Sequence, residues 1–199
     1  MNIAIIGAGA IGSAIARQLS RAGIAASIAN SRGPESLAAL AAELGPRIKA
    51  VTVEEAAKAD MVFIAVQWSR IADAVRTLPA WNGRIVVDAN NAIEAPSFKA
   101  VDLGGRASSA VLAQLLPGAR VVKAFNHLVA ALLAADPQAE GGRRVLFYSG
   151  DDAEAKRSVG QLIEKLGFAG IDLGTLDGGG RLAQFPGGPL PVLNLVRYT

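Results

Sequence analysis

A glycine-punctuated turn, GAGAIG, follows directly on the apolar run Asn2 to Ile6, and this junction constrains the fold more than any other stretch of the chain. The run is rich in β-branched residues and too short for a helix, so it reads as a buried parallel strand that stops at Gly7. Glycines then fall at positions 7, 9 and 12. In that spacing the first permits a tight turn, the second lets the backbone approach a pyrophosphate, and the third lets the next helix pack on the strand. The helix, Ala10 to Ala22 with Gly23 as its stop, aims its free N–H groups and positive dipole end at the phosphate. An ordinary tight turn is the competing reading. The position between a strand and a helix, where the mechanism requires it, favours a dinucleotide site built from Gly7, Gly9, Ala10, Ile11 and Gly12.

The end of the next strand, Ile24 to Ala29, decides which dinucleotide. An NAD site usually carries Asp or Glu here for the ribose 2′-hydroxyl. This chain has Asn30, Ser31 and Arg32. No carboxylate repels a 2′-phosphate, Ser31 offers a hydroxyl donor, and the Arg32 guanidinium suits phosphate bidentately. NADP(H) is therefore expected. Against this stands the reading of Arg32 as a solvated loop charge ahead of Gly33 and Pro34, which open the next helix.

Strand and helix patterns alternate through the rest of the chain, as a doubly wound, mostly parallel α/β sheet of the Rossmann type requires. The expected helices are Pro34 to Leu44, a short acidic one capped by Thr52 with Glu55 three residues on, and one running from an Asp151–Glu154 capping box to Leu166, stopped by Gly167. The expected strands are Arg47 to Val51, Met61 to Val66, Arg84 to Ala89, Arg120 to Phe125, Arg143 to Ser149 and Phe168 to Leu173. We read residues 1–199 as one domain, with a core over about 1–135 and a short strand-helix-strand extension and Gly/Pro-rich tail over about 136–199. Ligands of such sheets bind beyond the carboxyl ends of the strands. Val66, Gln67 and Trp68, Asn90 and Asn91, and Asn126 and His127 all fall there. Gln67 and Asn90 are suited to phosphate, ribose or carboxamide groups and Asn126 to the nicotinamide end.

With 51% hydrophobic and 19% charged residues, 199 residues suffice for a well-buried globular core. No apolar run reaches the ~18 residues of a membrane span, and no basic n-region with a cleavage site opens the chain, so a cytoplasmic protein without membrane partners is expected. A net charge of +3, spread without a basic run, argues against nucleic acid. Cysteine is absent, which removes disulfides, thiolate catalysis and thiolate metal sites, and no metal is expected.

GAGAIG, NSRGPESL, VDANN, VVKAFN, SGDDAEAK and GFAGIDLGTL together resemble the deazaflavin-dependent NADP oxidoreductases, which exchange hydride between NADP(H) and coenzyme F420. The resemblance spans nearly the whole chain. A similar cofactor domain occurs in the cytosolic part of the six-transmembrane metalloreductases, so the motifs specify NADPH and the fold better than the acceptor. The resemblance implies that Gly9 to Gly12 hold pyrophosphate, that Ser31 and Arg32 hold the 2′-phosphate, and that Asn90 and the Ala124 to Asn126 segment approach the nicotinamide.

The single histidine, His127, is the one candidate proton shuttle, and a helix-start residue satisfied by backbone groups is its competing reading. Lys123 reads as a lysine reaching a sheet edge or a phosphate rather than as a catalytic group. Without a convincing acid–base pair, hydride transfer to a deazaflavin, FMN or FAD is favoured, because the cofactors carry that chemistry. Two other readings stay open: a reductase of a small imine or carbonyl, with His127 or a tyrosine as proton donor, although Tyr148 falls in a strand and Tyr198 at the chain end, and a non-catalytic NADPH sensor. A homodimer is a further expectation. The tail DGGGRLAQFPGGPLPVLNLVRYT cannot form a long helix before Pro191. It reads either as a loop over the nicotinamide, with Gln184 and Phe185 facing the acceptor, or as a tail crossing a dimer interface.

Overall fold

The apolar β-branched runs form strands buried on both faces, which is the condition for a parallel sheet covered by helices. A computed structural model describes residues 1–198. The first half runs β1 (Ile3–Ile6), α1 (Ala10–Arg21), β2 (Ala26–Ala29), α2 (Ala38–Leu44), β3 (Ile48–Ala50), α3 (Val53–Ala56), β4 (Met61–Ile64), α4 (Ile71–Val75) and β5 (Ile85–Asp88). A small hairpin, β6 (Ile93–Glu94) and β7 (Lys99–Ala100), then precedes α5 (Ser108–Leu115), β8 (Arg120–Ala124) and α6 (Ala130–Ala134). The remainder is β9 (Gln138–Ala139), β10 (Gly142–Gly150), α7 (Ala153–Lys165), β11 (Ala169–Asp172), α8 (Gly179–Leu182) and β12 (Val196–Arg197).

The sheet order is β11-β10-β8-β5-β4-β1-β2-β3. Every neighbour along it is parallel except β8 and β10, which pair antiparallel. The chain leaves β1 for β2 on one side and returns to β4 on the other, so the strand order reverses at β1. A crevice at the carboxyl ends follows from that reversal.

Alternate residues of each strand feed two cores. Ile3, Ile5, Met61, Phe63, Ile85 and Val87 face α1, α2, α6 and α7, meeting Ile15, Leu19, Leu44, Leu133, Val159 and Ile163. Ala4, Ile6, Val62, Ile64 and Val86 face α3, α4 and α5, meeting Ala56, Ile71, Val75 and Leu112. The expected capping box at α3 is present: Glu55 N–H donates to Thr52 Oγ1 at 3.2 Å and Thr52 N–H donates to the Glu55 carboxylate at 2.9 Å. The cap of α7 is Asp152 rather than Asp151. Asp152 Oδ1 accepts from Ala155 N at 2.7 Å, while Asp151 Oδ1 accepts from Leu176 N and ties the following loop to the helix start. Pro34 to Leu37 form a 3-10 turn ahead of α2, so the expected Pro34 to Leu44 helix divides in two. No helix among the described residues is long and apolar enough to cross a membrane.

Candidate functional site

Backbone hydrogen bonds bring the strand ends into one row. Gly7 N–H donates to Ala29 O, Ala65 N–H to Ile6 O and Ala89 N–H to Ile64 O, while Asp88 is level with Lys123 of β8. Gly7, Asn30, Val66, Asn90 and Asn126 therefore stand along the same edge.

The three glycines of the turn have different reasons to be glycine. Gly7 has φ +112°, and a Cβ there would lie 2.2 Å from Ala65 O. A Cβ on Gly12 would lie 1.9 Å from Gly7 O, so strand and helix touch backbone to backbone. Gly9 is unlike both. Its φ of −76° and ψ of −169° are open to any residue, and an added Cβ meets nothing within 4 Å. Nothing in the protein requires glycine there, and the space is open at the start of α1, where the first N–H groups lack helical partners. The cradle fits a pyrophosphate of NADP(H). Ala10 is exposed and Ile11 partly so, in the first turn of α1 beside it.

At the end of β2, Asn30 builds the loop. Its Oδ1 accepts from Arg32 N at 2.8 Å, and its Nδ2 donates to Ser36 Oγ at 3.0 Å. Its amide is thus engaged within its own loop, while Ser31 and Arg32 are exposed at the edge, just beyond the strand.

The ends of β4, β5 and β8 enclose a polar cluster. Asn90 Oδ1 accepts from Val66 N at 2.9 Å, and Asn90 Nδ2 donates to Asp88 Oδ1 at 2.9 Å. Asn90 thereby braces β4 against β5, and Gln67 remains exposed beyond it. Lys123 is buried, not at a sheet edge or a phosphate as its sequence position implies. Its ammonium donates to Asp88 Oδ2 at 3.3 Å, Asn90 O at 3.0 Å and Ser108 Oγ at 3.2 Å, using all three protons. Ser109 Oγ donates to the same Asp88 oxygen at 2.5 Å. A buried ion pair holds its place only when such further bonds satisfy both ions.

Asn91 and Asn126 form a second cluster, which hydropathy gave no means of finding. Asn91 Nδ2 donates to Asn126 O and Asn126 Nδ2 donates to Asn91 Oδ1, both at 2.9 Å. Asn126 Nδ2 also donates to Ala183 O at 2.7 Å, which fixes the amide orientation and leaves the buried Asn126 Oδ1 without a donor. Ala124 is fully buried just below. His127 is sealed too, at 2% exposure, with its ring centroid 4.8 Å from that of Phe147 and no hydrogen-bond partner on either nitrogen. Burial lowers its pKa to about 4, with a weaker opposing effect of the Val145 backbone. It is neutral near pH 7, and the expectation of a proton shuttle meets a ring enclosed within the protein.

The tail crosses this end of the edge. Gln184 Oε1 accepts from Ser108 N at 2.9 Å, Phe185 N–H donates to Asn91 Oδ1 at 3.1 Å, and Val192 N–H donates to His127 O at 2.7 Å. Gln184 is thus turned toward α5.

The family model described as NADP oxidoreductase, coenzyme F420-dependent, matches residues 2–92. Metalloreductase STEAP3 of Rattus norvegicus is 32% identical over 177 residues, 88% of this chain and 34% of that protein. The chain spans about a third of the length of the curated relatives it matches. Among solved structures, hypothetical protein SMa0349 from Sinorhizobium meliloti is 53% identical with a TM-score of 0.95, covering 99% of this chain and 96% of that one. A putative F420-dependent NADP-reductase from Arthrobacter sp. FB24 is 27% identical with a TM-score of 0.70, covering 88% and 86%. The reductive aminase of Aspergillus terreus, solved with NADPH4, shares the fold at 23% identity and a TM-score of 0.63, over 90% of this chain and 56% of that one. The glycine cradle and these likenesses agree: residues 2–92 carry a domain of the family described as NADP oxidoreductase, coenzyme F420-dependent.

Proposed function

We propose that this protein binds NADPH along the carboxyl edge of its sheet and directs its hydride to a flavin-type acceptor, the deazaflavin coenzyme F420 first and FMN or FAD next. The supporting observation is what the edge does with its ionisable groups. Asp88, Lys123 and His127 are the three that the strand ends bring to the nicotinamide side, and all are buried, the first two paired with each other. None is presented to a ligand. Reduction of a carbonyl or imine usually draws on a positioned proton donor, whereas a flavin ring takes hydride as part of its own chemistry.

The chain's residues then have defined tasks. Gly9 admits the pyrophosphate to the backbone, with Ala10, Ile11 and Gly12 beside it in the first turn of α1. Ser31 and Arg32 hold the 2′-phosphate, in a loop whose shape Asn30 sets. Asn90, Val66 and the Asp88–Lys123 pair fix the relative height of the strand ends, and Gln67, Ala124 and Asn126 border the nicotinamide. NADPH supplies the hydride when bound. Alignment of donor and acceptor and exclusion of water are the protein's contributions.

NADPH oxidation measured in parallel with coenzyme F420, FMN, FAD, and a panel of imines and carbonyls tests this reading. Turnover with a flavin-type acceptor, unaltered in His127→Asn, is the expected result. Imine or carbonyl turnover abolished by His127→Asn would overturn it. NADPH binding with no turnover at all would identify a sensor.

A further inference from the structure

We propose that residues 183–192 form a strap that walls the acceptor side of the site, and that Asn91 is the positioning residue that latches it. The inference rests on the reading of the strand edge as the hydride-transfer site. Three bonds fix the strap to three different elements: Phe185 N–H to Asn91 after β5, Gln184 Oε1 to the start of α5, and Val192 N–H to His127 O after β8. Asn91 is the hub, because its Oδ1 accepts from both Phe185 N and Asn126 Nδ2 while its Nδ2 donates to Asn126 O. Asn126 in turn donates to Ala183 O. One amide thus joins β5, β8 and the strap.

Beyond these bonds the strap is only partly buried. Of its own residues Ala183 and Pro191 are buried, Phe185, Pro186 and Leu190 are half-buried, with Leu190 against the cluster of Val145, Phe147 and Ala169, and Gly187, Pro189 and Val192 are exposed. Of the four buried side-chain polar atoms without a partner among the described residues, three, Asn126 Oδ1 and both His127 ring nitrogens, belong to residues that the strap bonds directly, and the fourth is Arg144 Nε. Docking therefore combines partial burial with a few hydrogen bonds over an imperfectly satisfied floor, and loss of one of those bonds raises the population of the open segment. Close approach is nevertheless built in. A Cβ on Gly179 would lie 2.3 Å from Leu173 O, and one on Gly180 would lie 3.4 Å from Ser149 Oγ and 3.7 Å from Lys123 Cδ. The helix that starts the strap is seated against the strand ends and the buried lysine. The adenosine half of the edge, from Gly7 to Arg32, makes none of these bonds.

Asn91→Leu and Asn91→Asp separate a latch from a general structural role. Aspartate keeps the acceptor for Phe185 N and Asn126 Nδ2 but turns a carboxylate oxygen toward Asn126 O in place of the donor. Leucine loses all three. Trypsin cleavage after Arg181, at the head of the strap, reads docking by mass spectrometry in the full-length protein. We expect Asn91→Leu to be cut about tenfold faster and to raise the acceptor KM about tenfold, the loss of roughly one net hydrogen bond. The NADPH Kd should stay within about twofold. Asn91→Asp, which keeps the acceptor for Phe185 N, should be cut more slowly than Asn91→Leu and recover part of the acceptor affinity. Unchanged cleavage in Asn91→Leu, or a fall in NADPH affinity equal to that for acceptor, would overturn the proposal. If the wild type reduces no flavin-type acceptor, the acceptor assignment fails by itself, and the cleavage and NADPH titrations still decide whether Asn91 latches the strap.

Discussion

Gly9→Ala isolates ligand contact from folding, because the added methyl touches nothing in the protein. Its Cβ has no neighbour within 4 Å, and the backbone at φ −76° and ψ −169° accepts alanine without strain. Gly9 is the N-cap of α1, where alanine is less favoured than glycine, so stability without ligand should fall by no more than about 1 kcal/mol. NADPH meets the methyl where its pyrophosphate approaches the start of α1. Displacing the phosphate from charge-assisted backbone donors costs about 1.5 to 3 kcal/mol, which is about 10- to 100-fold in Kd. Gly12→Ala is the control. Its Cβ would lie 1.9 Å from Gly7 O, so strand and helix must separate, and both stability and binding fall. The assay is a nicotinamide fluorescence titration beside thermal unfolding of the free protein. If Gly9→Ala binds NADPH within about twofold of wild type, the pyrophosphate does not lie against Gly9 and the cradle reading is wrong.

Three further outcomes follow from the same geometry. Arg32→Ala should weaken NADPH by about 1.5 to 3 kcal/mol and NADH hardly at all; equal losses in paired titrations would remove Arg32 from the 2′-phosphate site. Lys123→Met strands the Asp88 carboxylate at 0% exposure and should cost about 3 to 5 kcal/mol in urea unfolding; a loss below about 1 kcal/mol would mean that Asp88 tolerates burial unpaired. His127, lowered to about 4 in the fold from an ordinary 6.5, takes up its proton in the unfolded chain first as pH falls. Its stabilising contribution is thus complete above pH 6.5 and is lost progressively toward pH 4, by about 2 to 3 kcal/mol between pH 7 and 4.5. His127→Leu should flatten that part of the stability profile, and an unchanged acid limb would show that the imidazole is not buried neutral.

Much of the sheet was legible because its strands are buried on both faces and punctuated by glycine. Eight expected strands coincide with β1, β2, β3, β4, β5, β8, β10 and β11 to within two residues at either end, and Thr52 with Glu55 marked α3 by side-chain chemistry alone. The antiparallel step from β8 to β10 was not legible, since a run such as RRVLFYSG reads alike in either direction. Helices α4, α6 and α8, of four or five residues, are too short to show a 3.6-residue period. At the site, the glycines and the Asn30 to Arg32 loop could be placed because each has a local mechanism. The roles of Asn91, Ser108 and Gln184 could not, because partners 76 and 94 residues apart in the chain leave no local pattern.

The polar residues of this edge divide according to where their bonding capacity is spent. Asn30, Asn90, Asn91 and Lys123 look like ligand contacts in the sequence, yet their side chains bond within the protein and hold strand ends and loops at fixed heights. Ser31, Arg32 and Gln67 are exposed, and Gly9 leaves open space. A site that fixes the height of its strand ends with buried polar bonds gains rigidity at the cost of having few ionisable groups left for acid–base work. That balance suits hydride transfer between two bound rings, where a small misplacement of donor relative to acceptor lowers the rate steeply. It also implies that loss of a buried residue such as Asn90 should act mainly through alignment: kcat with the flavin-type acceptor should fall more than NADPH affinity does. Asn90→Ala, with both constants measured, tests this directly; a loss confined to NADPH affinity would show that the amide contacts the cofactor instead of setting the position of β4 against β5.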